Sequence, residues 1–399
     1  MTGPITGDGD APVELLVVAG EASGDLHAAR LVAELRGLVP GLTTFGLGGD
    51  ELIATGMDTV AHSAEISVVG ITEVLRILRR ARQIFAEILR QVDLRRPRAA
   101  LLVDFPDFNL RLARELHRRG VRVIYYISPQ VWAWRRGRVK TISRVVDLML
   151  VLFPFETDFY RDHGVEVVHV GHPLVDEVPS LPNVWDRGLE TTGPYRLALL
   201  PGSRRSEVEV LLPEMLAAVG RLADELPVEA SLIQAPTVPR ELLEGPIELS
   251  GLPVRIVSRD RFAAIADSHL ALCASGTATL EVGLLGTPML VLYRVAFLSS
   301  LLGRLLVRLP YFSLVNLVLG RRVVPELLQA EVHPERIAGE ARRLLTETAP
   351  REEMRAGLAE LRMRLGAGGA SVRAAREIAA FLGFAARPDG KPMAEGAPA

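Results

Sequence analysis

The run Leu270-Ala271-Leu272-Cys273, followed by Ala274-Ser275-Gly276-Thr277-Ala278-Thr279-Leu280-Glu281, constrains this chain more than any other stretch. It reads as a buried parallel strand, a turn of small residues and the start of a helix. Small side chains admit a diphosphate to the unpaired amides at a helix N-terminus, where the helix dipole favours negative charge. Glu281 follows Thr277 by four residues, on the same helix face, where a carboxylate can accept hydrogen bonds from ribose hydroxyls. The pattern predicts a nucleotide-diphosphate site at a strand end.

At 399 residues the chain exceeds the size at which one core keeps growing, so two domains are expected. Hydrophobic residues make up 49% but aromatics only 5%, which suits an aliphatic α/β core. Charge is near balance, 46 basic against 48 acidic residues, so nothing implies non-specific nucleic-acid binding. The single cysteine, Cys273, lies in an apolar strand and reads as buried and inert. No Cys/His ligand cluster appears, and neither a metal nor a cofactor is expected. Residues 1–12 lack the basic and apolar regions of a signal peptide, and no apolar run reaches the ~20 residues that span a bilayer. A cytoplasmic location follows as the expectation.

From residue 13 onward, short apolar runs alternate with helical patterns, as in βαβ units around a parallel sheet. Strands are expected at Glu14–Ala19, Ala99–Val103, Val121–Ile127, Leu148–Phe153 and Glu166–Val170. A second series runs through Tyr195–Leu200, Glu229–Gln234, Val254–Val257, His269–Cys273 and Met289–Tyr293. Residues 176–194 hold prolines and glycines with little periodicity and read as a linker. The expected organisation is two Rossmann-like domains, 13–175 and 195–370, facing across a cleft. A helix at 371–383 packs back on the first domain in this reading, and the tail 387–399 is expected to be disordered.

Other motifs also fall at strand ends, where ligands bind parallel sheets. Gly20-Glu21-Ala22-Ser23-Gly24-Asp25 is not the dinucleotide fingerprint, yet its carboxylates Glu21 and Asp25 exceed what a turn needs. Gly46-Leu47-Gly48-Gly49-Asp50 reads as a second, flexible loop. Asp104-Phe105-Pro106-Asp107-Phe108-Asn109 offers Asp107 or Asn109 as a helix cap; Asp104 lies too far upstream to cap and suits a general base at the cleft. In Pro201-Gly202-Ser203-Arg204, Gly202 and Ser203 present amides and Arg204 a planar donor fork to a phosphate. His172 reads as a hydrogen bonder rather than a base.

Some segments suit lipid or sugar. Trp132 and Trp134 stand beside the basic cluster Arg135, Arg136, Arg138 and Lys140. Val74, Ile77, Leu78, Ala81, Phe85, Ile88 and Val92 recur at helical spacing, a stripe that serves a core or a membrane surface equally well. Phe297 to Leu309 runs apolar past its serines, Gly303 and two arginines, with Leu301, Leu302 and Leu305 at its centre.

Taken in order, these motifs, with Leu314-Val315-Asn316-Leu317 and Pro325-Glu326-Leu327-Leu328-Gln329, closely resemble the lipid A disaccharide synthase family, inverting glycosyltransferases of the GT-B fold. The resemblance covers residues 13 to 383. It implies transfer of 2,3-diacylglucosamine from its UDP derivative to 2,3-diacylglucosamine 1-phosphate, giving a β-1,6-linked disaccharide 1-phosphate and UDP. It further implies a catalytic set of Asp104, Arg204 and Glu21. The donor site would comprise Gly202, Ser203, Arg204, Ser275, Gly276, Thr277, Ala278 and Glu281, bordered by Asn316, Glu326 and Gln329. Trp132, Trp134, Leu301, Leu302 and Leu305 would meet acyl chains at the inner face of the cytoplasmic membrane. Exchange of C-terminal ends between two chains, giving a homodimer, is compatible with the sequence. Two other readings stay open at this level: a GT-B transferase or epimerase acting on a soluble UDP-N-acetylhexosamine, and a nucleotide-sugar sensor without chemistry, against which Asp104 argues.

Overall fold

Runs of aliphatic residues with no polar alternation must be covered on both faces, and here they form the central strands of two parallel sheets. The computed structural model describes residues 13–66, 74–129, 131, 136–187, 193–294 and 310–384. The first sheet contains β1 (Glu14–Ala19), β2 (Thr43–Gly48), β3 (Asp58–His62), β4 (Ala99–Val103), β5 (Arg122–Tyr126), β6 (Leu148–Val151) and β7 (Val167–His169), in the order β3-β2-β1-β4-β5-β6-β7. The second contains β8 (Tyr195–Leu200), β9 (Val228–Ile233), β10 (Val254–Val257), β11 (Leu270–Ala274), β12 (Met289–Tyr293) and β13 (Glu326–Leu328), in the order β10-β9-β8-β11-β12-β13. Every pairing in both sheets is parallel. In each, the order reverses at the first strand, as in Rossmann folds, so a switch point lies between β1 and β4 and another between β8 and β11.

The chain divides into two compact units, one made of residues up to Pro173 together with those from Gly368, the other of Leu174–Ala367. The described residues of the expected linker, 176–187 and 193–194, fall within the second unit. There Asn183 donates to the Ala266 carbonyl at 3.1 Å and to Thr287 Oγ1 at 2.9 Å, and Trp185 Nε1 donates to the His269 carbonyl at 2.9 Å. Prolines removed the periodicity, but these two anchors fix the segment.

The expected loop at Gly46–Asp50 is also corrected, because Gly46 and Leu47 lie inside β2. A Cβ at Gly46 would lie 2.0 Å from the Val17 carbonyl oxygen, so the glycine marks close strand approach rather than a turn. Asp25 has a structural task. It is buried in helix Ala22–Leu38 and accepts from the amides of Gly49 (2.6 Å) and Glu51 (3.0 Å), capping the following helix Asp50–Ala54 from outside. The amphipathic stripe spans helix Val74–Arg95, where Ile84, Ile88 and Val92 join the core and Ala81, Phe85 and Leu89 pack against it. Its described part is therefore mainly core, although Leu78 is 47% exposed.

The last described helix, Ala370–Phe381, packs on Ala22–Leu38 of the first unit. Arg122 lies over the Phe381 ring at 4.2 Å and Arg98 over Phe384 at 5.3 Å, while Arg373 Nε donates to the Val170 carbonyl at 2.8 Å. Phe381 is nearly fully buried. Phe381→Ala should therefore destabilise the first unit by about 3 kcal/mol, read as an earlier transition in chemical denaturation.

Candidate functional site

At the switch point of the first sheet, Ala19 pairs with Val103, so Gly20 and Asp104 are the next residues out of their strands. Asp104 and Phe105 both have left-handed backbone, φ 45° and 47°, a conformation that costs an ordinary residue on the order of 1–3 kcal/mol. The surroundings enforce it. The Asp104 amide donates to the Tyr126 carbonyl at 3.0 Å, and its own carbonyl accepts from Tyr125 Oη at 2.6 Å and Asn109 Nδ2 at 2.9 Å. The Phe105 ring then lies over Gly20, where a Cβ would stand 2.4 Å from it. That packing brings the Glu21 and Asp104 carboxylates into the same electrostatic neighbourhood.

Burial chiefly, and Glu21 next, push the Asp104 carboxyl up to about 6, against a lowering by the Phe105 amide. A carboxyl tuned there is ionised at neutral pH yet more basic than an ordinary aspartate. The expected caps do not cap. Helix Pro106–Arg118 starts from left-handed Phe105 without a side-chain cap, Asn109 reaches back to the carbonyls of Val103 and Asp104, and Asp107 pairs with Arg138 of the basic cluster. His172 is buried against Phe153, and burial, with His27 and His169 nearby, lowers it to about 3; it stays neutral near pH 7.

At the second switch point, Cys273 pairs with Leu200, and the turns after β8 and β11 meet around a pocket of about 340 Å³. Such a volume suits a small-molecule ligand. Gly202, Ser203 and Arg204 form one wall, Ser275, Gly276, Thr277 and Ala278 another, and Glu281 stands at its side. All eight sequence-assigned residues of this set come together. A larger hollow of about 560 Å³ lies along edge strand β10 and the turn to Asp267, but it carries none of these turns.

The amides expected to meet a phosphate have an internal partner that sequence reasoning missed. Glu207 Oε2 accepts from the Ser203 amide at 3.1 Å and the Arg204 amide at 3.3 Å, while Oε1 accepts from Arg204 Nη1 at 2.9 Å. Glu207 is the third residue of the helix after its N-cap Arg204, the capping-box position for a glutamate, which would have revealed it. Gln234 and Thr237, after β9, and Arg261 also line the pocket. Thr237 Oγ1 donates to the Ser203 carbonyl at 2.7 Å. Burial raises the Glu281 carboxyl and Arg261 opposes the rise, while burial holds the Cys273 thiol well above its usual range.

Asn316, Glu326 and Gln329 are not among the residues lining this pocket. Asn316 and Glu326 form a buried knot instead. Asn316 Nδ2 donates to Glu326 Oε1 (2.8 Å) and the Val324 carbonyl (2.9 Å), and its Oδ1 accepts from the amides of Val323 and Val324. Glu326 accepts from the amides of Phe312 and Ser313, and Ser275 Oγ donates to the Phe312 carbonyl at 2.9 Å. The knot thus reaches the pocket through Ser275. Gln329 opens a short 3-10 turn after β13, with φ 52°. Trp132, Trp134, Leu301, Leu302 and Leu305 lie outside the described residues.

The model of the family described as lipid-A-disaccharide synthetase matches residues 15–378. The lipid-A-disaccharide synthase of Myxococcus xanthus is 50% identical over 376 residues, covering 93% of this chain and 98% of that protein. This chain belongs to the lipid-A-disaccharide synthase family. The family's enzyme from Anaeromyxobacter dehalogenans (strain 2CP-1 / ATCC BAA-258) is 46% identical over 369 residues, covering 92% and 96%. Among solved structures, a putative UDP-N-acetylglucosamine 2-epimerase from Listeria monocytogenes superposes with TM-score 0.63 at 13% identity, covering 95% of this chain and 99% of that one. MurG of Acinetobacter baumannii gives 0.57 at 14% identity, covering 94% and 99%. At such identities these structures share the fold alone. In this lipid-A-disaccharide synthase relative the Asn316 knot carries a measurable load: Asn316→Ala should cost the second unit about 3 kcal/mol in denaturation and weaken UDP binding through the loosened Ser275 turn.

Proposed function

We propose that this chain is a UDP-dependent inverting glycosyltransferase that joins two acylated glucosamines. The donor is UDP-2,3-diacylglucosamine and the acceptor 2,3-diacylglucosamine 1-phosphate; the products are a β-1,6-linked lipid A disaccharide 1-phosphate and UDP. The full-length family match carries this reading of the reaction. It excludes neither relative by fold, since epimerases share the architecture, but the 50% identity speaks for the acylated substrates.

In the mechanism, the acceptor 6-hydroxyl oxygen attacks the donor anomeric carbon from the face opposite the diphosphate. Asp104 takes the hydroxyl proton as that C–O bond forms, and burial, with Glu21 nearby, keeps Asp104 basic. The bond from the anomeric carbon to the diphosphate oxygen breaks, and UDP departs with its electron pair. Arg204, the Ser203 amide and the turn Ser275–Ala278 offset the charge growing on the leaving group. Glu207 already holds two amides and the Arg204 fork, a donor set that fits an anionic oxygen. Glu281 holds the ribose.

Both sugars carry acyl chains, so the reaction takes place at the inner face of the cytoplasmic membrane, with the chain bound peripherally. Among the described residues no helix is long and apolar enough to cross a membrane. The apolar stretch Phe297–Leu309 and the Trp132/Trp134 segment supply the lipid contact in this reading. Replacing Leu301, Leu302 and Leu305 by serine should lower co-flotation with anionic vesicles several-fold; unchanged flotation would remove that stretch from the membrane contact.

The reaction is tested with purified chain, radiolabelled acylated acceptor and the matching UDP donor in detergent micelles. Disaccharide 1-phosphate and UDP should appear together, whereas turnover of a soluble UDP-N-acetylhexosamine alone would overturn the reading. Asp104→Asn should lower turnover by ~100- to 10,000-fold while leaving UDP affinity intact. In the wild type, turnover should fall tenfold per pH unit below about 6 as Asp104 protonates. The folded carboxyl lies above its unfolded value of 3.8, so its ionised form costs stability, fully so above pH 6. Asp104→Asn should therefore also raise stability at pH 7.5 by on the order of 2 kcal/mol, seen as a higher Tm.

A further inference from the structure

Arg261 carries none of the motifs and follows no strand directly, yet it reaches the donor pocket. It is the first residue of helix Arg261–Ala266, entered from Asp260 in left-handed backbone at φ 55°. Its Nη2 donates to Glu281 Oε1 at 3.0 Å, with the Arg261 side chain 34% and the Glu281 side chain 14% exposed. Both residues line the pocket. The guanidinium also lies over the Phe262 ring at 4.6 Å, which narrows its freedom to swing away. Glu281 Oε2 has no hydrogen-bond partner among the described residues. One carboxylate oxygen is thus fixed by an arginine while the other stays available at the pocket wall.

We propose that Arg261 is the positioning residue of the donor site, holding Glu281 ionised and aimed at the ribose hydroxyls of the UDP donor. The inference rests on the reading of Glu281 as the ribose ligand. An ionised carboxylate offers both oxygens purely as acceptors, whereas protonation turns one of them into an O–H donor, and Glu281 sits where ionisation is opposed. Burial raises it first, and Glu177, from helix Leu174–Glu177, raises it further; Arg261 is the group that acts in the other direction. The remaining charged or titratable groups around helix Ala278–Leu284 do not replace Arg261. Cys273 of β11 is a neutral buried thiol, and Tyr293 of β12 is held neutral by burial. Arg204 and Glu207 across the pocket pair with each other, and Arg362 of helix Thr348–Leu365 bonds to the Leu284 carbonyl at the far end. Helix Leu314–Leu319, also packed there, has no charged residue.

The test measures binding of UDP and of 2′,3′-dideoxy-UDP to wild type, Arg261→Gln, Arg261→Lys and Glu281→Gln across a pH series. Arg261→Gln should raise the UDP Kd about 10-fold at pH 7 and leave the dideoxy analogue unchanged, which also shows that the variant is folded. Because Arg261 is the group that opposes the rise of the Glu281 carboxyl, discrimination between the probes should fail at a higher pH in Arg261→Gln than in wild type as the solution is acidified. Arg261→Lys keeps the charge and should retain most of the UDP affinity. A loss equal for both probes and constant with pH would make Arg261 a packing or phosphate residue and overturn the proposal. If Glu281→Gln abolishes discrimination between the probes while Arg261→Gln does not, the positioning role alone fails. If Glu281→Gln leaves discrimination intact, the ribose reading fails and takes this inference with it.

Discussion

A parallel sheet whose order reverses at its first strand sends two neighbouring connections to opposite faces, and the gap they leave exposes strand-end backbone to ligands. Both candidate sites of this chain follow from having that reversal twice. In the first unit the gap between β1 and β4 gathers Gly20, Glu21 and Asp104; in the second, the gap between β8 and β11 gathers Gly202–Arg204 and Ser275–Ala278. Residues more than 70 positions apart become neighbours because strand pairing, not side-chain affinity, sets their positions.

The carboxylates show how environment divides one chemical group among several tasks. Asp25 is buried and spent on two amides of a neighbouring helix. Glu207 closes on its own helix start and the Arg204 fork. Glu326 binds a loop whose carbonyl steadies Ser275. Asp104 differs because its side chain meets burial and another carboxylate rather than a cation, so its neighbours raise it toward neutrality. The hydrogen bonds from Tyr125 and Asn109 go to its backbone carbonyl and help hold the left-handed conformation.

The central strands were legible because continuous aliphatic runs have few alternatives: Glu14–Ala19, Ala99–Val103, Tyr195–Leu200 and Met289–Tyr293 begin and end where their composition says, as does edge strand Val254–Val257. Three other strands were less so. β2 hides behind Gly46, whose glycine serves strand contact while resembling a turn, β3 carries Asp58 and His62, and β13 is only three residues long. In the second unit, pocket residues adjoining a strand end were readable from the turn alone. Arg261 and Thr237 were not, since tertiary packing brings them in and no local spacing marks them. Asn316 and Glu326 show the converse: a polar pair that staples a loop has the same composition as one that grips a ligand, and only its hydrogen-bond partners distinguish them.

The return of helix Ala370–Phe381 to the first unit makes that unit discontinuous, with Leu174–Ala367 as an insertion inside it. On the ribosome, at ~5–20 residues per second, the amino-terminal half waits tens of seconds for its closing helix. During that interval the apolar side of Ala22–Leu38 lacks its cover and is open to chaperones or to another nascent chain. Early collapse of the insertion into its own six-stranded sheet draws the two ends of the gap together and lowers the entropy lost when the terminus docks. The order of assembly is thereby written into the connectivity: the nucleotide unit matures first, and the unit bearing Asp104 is completed last.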